Sequence, residues 1–455
     1  MEGLWMAAVL TMSAGPFPIQ RFTLSNGLPV IYAQKTDLPL TVLRLVIYAG
    51  KRDETEGQWG LANLTAEMLT EGTTSRTSDE ISEEIEFLGA QLGVDAGIYT
   101  TQITLNILTS QLDKGLALTS DVLQHPTFPA SELDKLKDRI ISSLRESLND
   151  PDQVLDEAFH RALYGHHPLA RPEEGTPTSI RALTREDLIR FHRTYYSPKN
   201  SFLAVVTNLP LQEMRDLLEK ALGSWKGPEV QHRALPPLPK QDHPRVVMVP
   251  MKVNQAYVAL GHYGVRRTDP DYPRIRLMNY ILGGGGFASR FFRIIRNKMG
   301  YAYSVYGYFM PGLDLPGYYL AGMQTKVESA NEAIQSLIEV METFQQEGPT
   351  EDELRDAKSF YEGSIPRQTE TYGQILGALV NEELYGLPDY YWIKEIETMQ
   401  HFSREDIQQA ARTYLHPDRL VLTLVVPPDF SFQVKAFRDV HVEVWDPRDL
   451  LKWEE

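Results

Sequence analysis

Asn63, Ala66 and Glu67 lie in the segment Gly60-Leu61-Ala62-Asn63-Leu64-Thr65-Ala66-Glu67-Met68-Leu69-Thr70-Glu71-Gly72-Thr73, at positions i, i+3 and i+4. On a helix these three share one face. That geometry can present two ligands and a general base to one metal ion. The residue types withhold the chemistry. A catalytic zinc takes about three protein ligands from His, Cys, Asp or Glu, plus a water. Asn63 offers a neutral amide, a poor ligand, and Ala66 has no group to accept a proton. Glu67 is a single carboxylate, and one carboxylate does not hold zinc.

Other residues with chemical potential are fewer. The chain has no Cys, so disulfides, thiolate metal sites and a cysteine nucleophile are excluded. His160, His166 and His167 are close in sequence, but His166-His167-Pro168 reads as a turn, and a structural role is expected for it. The run Gly283-Gly284-Gly285-Gly286 is not followed by Lys-Ser or Lys-Thr, which excludes a Walker-type phosphate loop. A tight turn and a close backbone approach are the expected uses of those glycines.

The segment around residue 63 resembles the signature of the pitrilysin-type (insulinase, mitochondrial processing peptidase) zinc metallopeptidases, G-L-A-H-x-x-E-H-M-L-x-x-G-T. Asn63, Ala66 and Glu67 stand where the family has its first His, its Glu and its second His. The third family ligand is a Glu ahead of a D-x-P turn. In Ile141-Ser142-Ser143-Leu144-Arg145-Glu146-Ser147-Leu148-Asn149-Asp150-Pro151 the two Glu positions hold Ser142 and Ser143. Both ligand segments have thus lost their ligands. Other motifs persist. Tyr164 to Pro172 is similar to the family's G-x-H-P-L-G-R-P, in which His167 is the family His. Leu282 to Phe292 and Arg296 to Ser304 are similar to L-G-G-G-x-x-S-R-L-F and R-x-K-x-G-x-x-Y. The resemblance implies that Arg296 and Tyr303 bind the substrate backbone and support the oxyanion, a task suited to a guanidinium and a phenol. It also implies that Gly89 to Leu108 holds an edge strand to which a peptide can add.

Elements must position these residues. Thr41–Ile47 reads as a strand, and Thr101–Ile107 alternates as a strand with one wet face. Thr77-Ser78-Asp79-Glu80 reads as a capping box ahead of a helix carrying Ile81, Ile85, Leu88 and Leu92. The chain also repeats itself. Thr184-Arg185-Glu186-Asp187, Thr194-Tyr195, Pro198 and Phe202–Val206 recur as Ser403-Arg404-Glu405-Asp406, Thr413-Tyr414, Pro417 and Leu420–Val426, with an offset of 219 (404 − 185). Pro129 before Glu132-Leu133 and Pro349 before Glu353-Leu354 form a second matched pair. A repeat this long means duplicated domains. The expected fold is α+β: two homologous halves, each a mostly antiparallel sheet with helices on one face. That the halves close as a clamshell is implied by the resemblance. The expected organisation is a tail at 1–17, a first domain at 18–227, a Pro-rich linker at 228–244 and a second domain at 245–455, with the boundary near 235.

At 455 residues the chain suits two to four domains. A formal net charge of −16 argues against a nucleic-acid partner and is compatible with a basic peptide. No apolar run is long enough for a membrane span. Leu4 to Leu10 could be a degenerate signal segment, but Glu2 precedes it without Lys or Arg, so a cytoplasmic or periplasmic location stays open. The expected function is a non-catalytic, substrate-binding subunit of a heterodimeric pitrilysin-type peptidase acting on peptides or unfolded polypeptides. No cofactor is expected in this chain, with zinc in the partner subunit. One alternative is a structural or interaction protein of the same fold. A lesser one is an active peptidase with a rearranged zinc site.

Overall fold

The computed structural model describes residues 15–452. The apolar run Leu4 to Leu10 lies outside the described residues. The strands are β1 (Ile19–Thr23), β2 (Pro29–Gln34), β3 (Leu40–Ile47), β4 (Gln91–Ala96), β5 (Thr101–Leu108), β6 (Ser201–Thr207), β7 (Arg245–Pro250), β8 (Gln255–Tyr263), β9 (Ala302–Met310), β10 (Tyr318–Lys326), β11 (Val421–Val426) and β12 (Val442–Val444). The helices of the first sequence half are α1 (Leu61–Glu67), α2 (Ser78–Phe87), α3 (Leu112–Gln124), α4 (Ala130–Ser147), α5 (Pro151–Tyr164), α6 (Pro177–Ala182), α7 (Arg185–Tyr195) and α8 (Leu211–Leu222). Those of the second are α9 (Tyr272–Asn279), α10 (Ala330–Glu347), α11 (Glu351–Ser364), α12 (Tyr372–Leu384), α13 (Tyr391–Gln400) and α14 (Arg404–Tyr414).

Each half builds a six-stranded sheet of the same plan, β1-β2-β6-β3-β5-β4 and β12-β7-β11-β8-β10-β9. Antiparallel pairs dominate. The β2–β6 and β7–β11 pairs are parallel, as is β12–β7. The edge strands β4 and β9 hold equivalent places in the two sheets. Capping boxes open the repeated helices. Thr184 accepts from Asp187 N–H at α7, and Ser403 accepts from Asp406 N–H at α14. β5 alternates buried and half-buried residues along its length, the pattern of a strand with one wet face.

The chain divides into two compact units that draw on both sequence halves. Unit 1 is residues 1–142, 172–235 and 366–390; unit 2 is residues 143–171, 236–365 and 391–455. In unit 1, α12 from the second sequence half packs on β3 and β6. Its Ile375, Leu376 and Leu379 meet Val42, Phe202, Ala204 and Val206. In unit 2, α5 from the first half packs on β8 and β11. These helices are repeat equivalents, starting at Pro151 and Tyr372, 221 residues apart. Each therefore covers part of the sheet face opposite the main helical layer, a helix beyond those expected on one face. That is why β6 and β11 are buried along their whole length and mostly apolar, as strands with both faces covered must be. Burying each such aliphatic side chain contributes about 1.5–3 kcal/mol.

The main core of unit 2 lies between its sheet and α9, α10 and α14, through Val258, Leu260, Ile275, Ile334, Leu337 and Ile407. Residues 223–244 form no helix or strand. Within unit 1, His232 lies between Asp53 Oδ1 (2.8 Å) and Asn200 Oδ1 (2.9 Å). Within unit 2, His167 Nε2 donates to Pro236 O (2.9 Å) while its Nδ1 accepts from Leu169 N–H. His167 is thus a structural fastening of a turn.

Candidate functional site

α1 carries the first of the two motif positions. It packs against the edge strand β4 and against α7. Leu61, Leu64 and Ala66 point into the core, Ala66 with 0% exposure, while Asn63 and Glu67 stay half-buried. Asn63 and Glu67 meet directly: Asn63 Nδ2 donates to Glu67 Oε1 at 2.8 Å. The other carboxylate oxygen, Oε2, lies 3.7 Å from Arg139 Nη2 on α4. Ser142 and Ser143 follow Arg139 by three and four residues on the same helix and are exposed.

These residues do not fit a zinc ion of the family type. The carboxylate is engaged by an amide and faced by a guanidinium, and the general-base position is a buried methyl group. The helix that should bring a carboxylate brings a positive charge. Arg139 is a site residue that the motif comparison did not single out. Its spacing to Ser142 and Ser143, i to i+3 and i+4, was the available signal. Because the pair is half exposed and long, it contributes little stability; its effect is on what charge the site accepts.

The second motif builds a different object. Gly285 N–H donates to Tyr280 O five residues back at 2.8 Å, and Met299 N–H does the same to Ile294 O at 3.0 Å. These wide turns flank the glycine run and Arg296, a geometry common at functional positions. The glycine run approaches β9 closely, since a Cβ on Gly283 would stand 2.7 Å from the backbone nitrogen of Gly307. Arg290 from the same motif is buried and structural. It pairs bidentately with Glu353 (2.9 and 2.6 Å) and donates to Gly348 O at 2.7 Å. This fastens the glycine motif to the start of α11.

Arg296 and Tyr303 are brought together. The guanidinium lies 4.6 Å from the Tyr303 ring centroid, 4.4 Å from Phe292 and 5.8 Å from Phe287. Tyr303 is the extra residue of a β-bulge: Ser304 pairs with Gln324 and Ala302 with Thr325, leaving Tyr303 between them. A bulge re-aims a side chain that alternation would otherwise place, and Tyr303 is 81% exposed. Among the described residues neither the Arg296 guanidinium nor the Tyr303 hydroxyl has a hydrogen-bonded partner. The stacked rings thus hold a guanidinium in place while leaving its N–H edge available. Phe287, 77% exposed at the end of the glycine run, and Phe292 are parts of this cage that motif reading missed. Their positions inside the L-G-G-G-x-x-S-R-x-F pattern were the only hint.

Comparison with known proteins fits this arrangement. Residues 30–177 match the model for insulinase (peptidase family M16), and residues 182–361 match that for the peptidase M16 inactive domain. The chain belongs to the M16 peptidase family. The curated M16 relatives include the "Non-peptidase homolog YmxG" of Helicobacter pylori, 26% identical over 399 residues and covering 87% of this chain and 91% of that protein. They also include the "Uncharacterized zinc protease YmxG" of Bacillus subtilis, 25% identical over 76% of this chain and 83% of that protein. A crystal structure of a peptidase M16 inactive domain from Pseudomonas fluorescens superposes with a TM-score of 0.84 at 27% identity, over 91% of this chain and 99% of that one. No helix among the described residues is long and apolar enough to cross a membrane.

Proposed function

We propose that this M16 chain is the non-catalytic, substrate-binding subunit of a heterodimeric zinc metallopeptidase that acts on peptides or unfolded polypeptides. The zinc is supplied by a zinc-bearing M16 partner. The observation that carries this reading is the exposed, paired presentation of Arg296 and Tyr303, with their hydrogen-bond donors unspent, in a chain whose own metal position is filled by Asn63, Glu67 and Arg139. A chain kept only for its fold has no use for a bulged Tyr beside a caged Arg. The name "Non-peptidase homolog" carried by the Helicobacter pylori relative agrees with an inactive metal position. The free edge of β4, next to α1, supplies backbone groups to which an extended peptide can add as a strand.

The mechanism asks of this chain only binding and orientation. Backbone pairing at a sheet edge holds the peptide extended. Arg296 and Tyr303 donate to carbonyl oxygens, and a donor set fixed before the peptide arrives costs little reorganisation when negative charge develops. The test is reconstitution. This chain and a zinc-bearing M16 partner are mixed, and cleavage of an unfolded polypeptide is followed with each alone and with both. Activity only in the mixture supports the reading. Full activity of the partner alone, unchanged by this chain, sinks it.

A further inference from the structure

Unit 1 holds a cleft with no role so far. α7 buries Leu188 and Phe191 in the core. That turns Glu186, Ile189, Arg190 and Arg193 outward along one face, at i, i+3, i+4 and i+7. Facing them runs the irregular segment that follows α8. It is fastened at two places: Ser197 Oγ donates to Pro228 O at 2.6 Å, and His232 is seated between Asp53 and Asn200. Between those fastenings Val230 and Gln231 form the far wall of a cleft of about 660 Å³. Small-ligand sites run from roughly 300 to 1,000 Å³ and are largely formed before the ligand arrives.

The cleft's apolar surface comes from Ile189 on the helix and from Pro228 and Val230 on the facing segment. Two of the charges around it are already met: Arg190 pairs with Asp187, and Glu229 with Lys199 at 2.9 Å. Two are not. Among the described residues neither the Glu186 carboxylate nor the Arg193 guanidinium has a hydrogen-bonded or ion-paired partner. They stand seven positions apart (193 − 186), about 10 Å along the helix axis. The cleft thus offers an anion at one end, a cation at the other and apolar surface between. Three residues of extended peptide also span about 10 Å. A free peptide of that length carries an ammonium group at one end and a carboxylate at the other, the complement of these two side chains.

We infer that this cleft binds a free tripeptide with an apolar middle residue, its ammonium on Glu186, its carboxylate on Arg193 and its middle side chain against Ile189, Pro228 and Val230. Both ends must be unblocked, so the ligand class is short free peptides, the kind that hydrolysis of longer chains leaves. The inference does not rest on the peptide-binding reading above, because no residue of the cleft belongs to β4, to α1 or to the motif that carries Arg296.

The test is isothermal titration calorimetry of the full chain with the peptide Ala-Leu-Ala, its N-acetyl form and its C-terminal amide. Blocking either end should weaken binding about fivefold, the upper range for an exposed ion pair. Arg193→Gln should weaken the free peptide by the same factor and leave the amide unchanged. Glu186→Gln should weaken the free peptide likewise and leave the acetylated form unchanged. Those crossed results assign each end of the peptide to one residue. Both side chains are exposed, so both variants should fold. Arg296→Ala should leave all three affinities as they are. A loss in that variant would put the peptide at the Arg296 site and overturn the inference. Equal binding of free and blocked peptides would overturn it too, as would the absence of saturable heat up to about 10 mM peptide.

Discussion

Arg139 Nη2 stands 3.7 Å from Glu67 Oε2, opposite the side on which Asn63 donates to the same carboxylate. Where an active relative would gather ligands around a dication, this chain has placed a protein cation on the neighbouring helix. A purified chain should therefore carry well below one zinc by elemental mass spectrometry. Asn63→His, Ala66→Glu and Glu67→His together should still leave it substoichiometric, because Ser142 and Ser143 supply no third ligand and Arg139 opposes the metal. One zinc per wild-type chain would refute this account.

The caged guanidinium makes a kinetic prediction. In the reconstituted pair, Arg296→Ala should lower kcat/KM by about 10²–10³, the range seen when a donor to a developing oxyanion is removed. Tyr303→Phe keeps the ring that stacks on Arg296 and removes only the hydroxyl, so its loss should be smaller. Size-exclusion chromatography should find assembly unchanged in both. An unaltered rate for Arg296→Ala removes the assigned role.

Glu353 ties Arg290 and Arg293 to the start of α11. Burial alone would raise its carboxyl, but hydrogen bonds from Arg290 and from the Thr350 backbone hold it below the usual range. Glu353→Ala strands a buried Arg290 and should cost about 3–5 kcal/mol in urea unfolding. A loss under about 1 kcal/mol would mean the pair is solvated.

Histidines set the acid limit of stability. Desolvation pushes His192 and His416 down to about 4 and His262 to about 3. His262 stays neutral in the fold, with Nδ1–H donating to Tyr263 O and Nε2 accepting from His416 N–H. The unfolded chain takes up protons near pH 6.5 that the folded chain refuses, so their stabilisation is complete above that pH. It is lost as pH falls from 6.5 toward 4, by up to about 1.4 kcal/mol per pH unit per histidine. His160 works the other way: burial lowers it, but Asp156 raises it more. Its stabilisation is present below pH 6.5 and fades as pH rises through its folded value. Three against one, Tm should fall between pH 6.5 and 4. A level profile down to pH 4 contradicts the buried neutral state.

The exchanged helices give a local prediction. Leu376→Ala on α12 should cost about 2–5 kcal/mol. Hydrogen exchange should locate the loss in β3 and β6 while β8 and β10 keep their protection. Equal loss in both sheets would contradict the division into units.

Much of this was legible in the chain. The capping box at Thr77, the alternating β5 and the repeat offset follow from local rules that side chains obey wherever they are. The apolar run Phe202–Val206 and the run Leu420–Val426, broken only by Thr423, even carried the signal of coverage on two faces. They did not say which helix would cover them, because a helix's apolar stripe records that it is buried and not against what. The cage around Arg296 was hidden for a related reason. Tyr303 reaches it by a bulge, and a strand's two-residue period gives no warning of one extra residue.

The reciprocal placement of α5 and α12 also bears on how the chain is made. A ribosome releases residues in order, and sheet β1–β6 is fully emerged soon after Thr207. Its second cover arrives only with Leu384, some 177 residues later (384 − 207). Through that interval one apolar face of the nascent sheet has nothing of its own to lie against. The core of unit 1 is therefore complete only after most of the chain has been translated, later than in two successive domains of the same size.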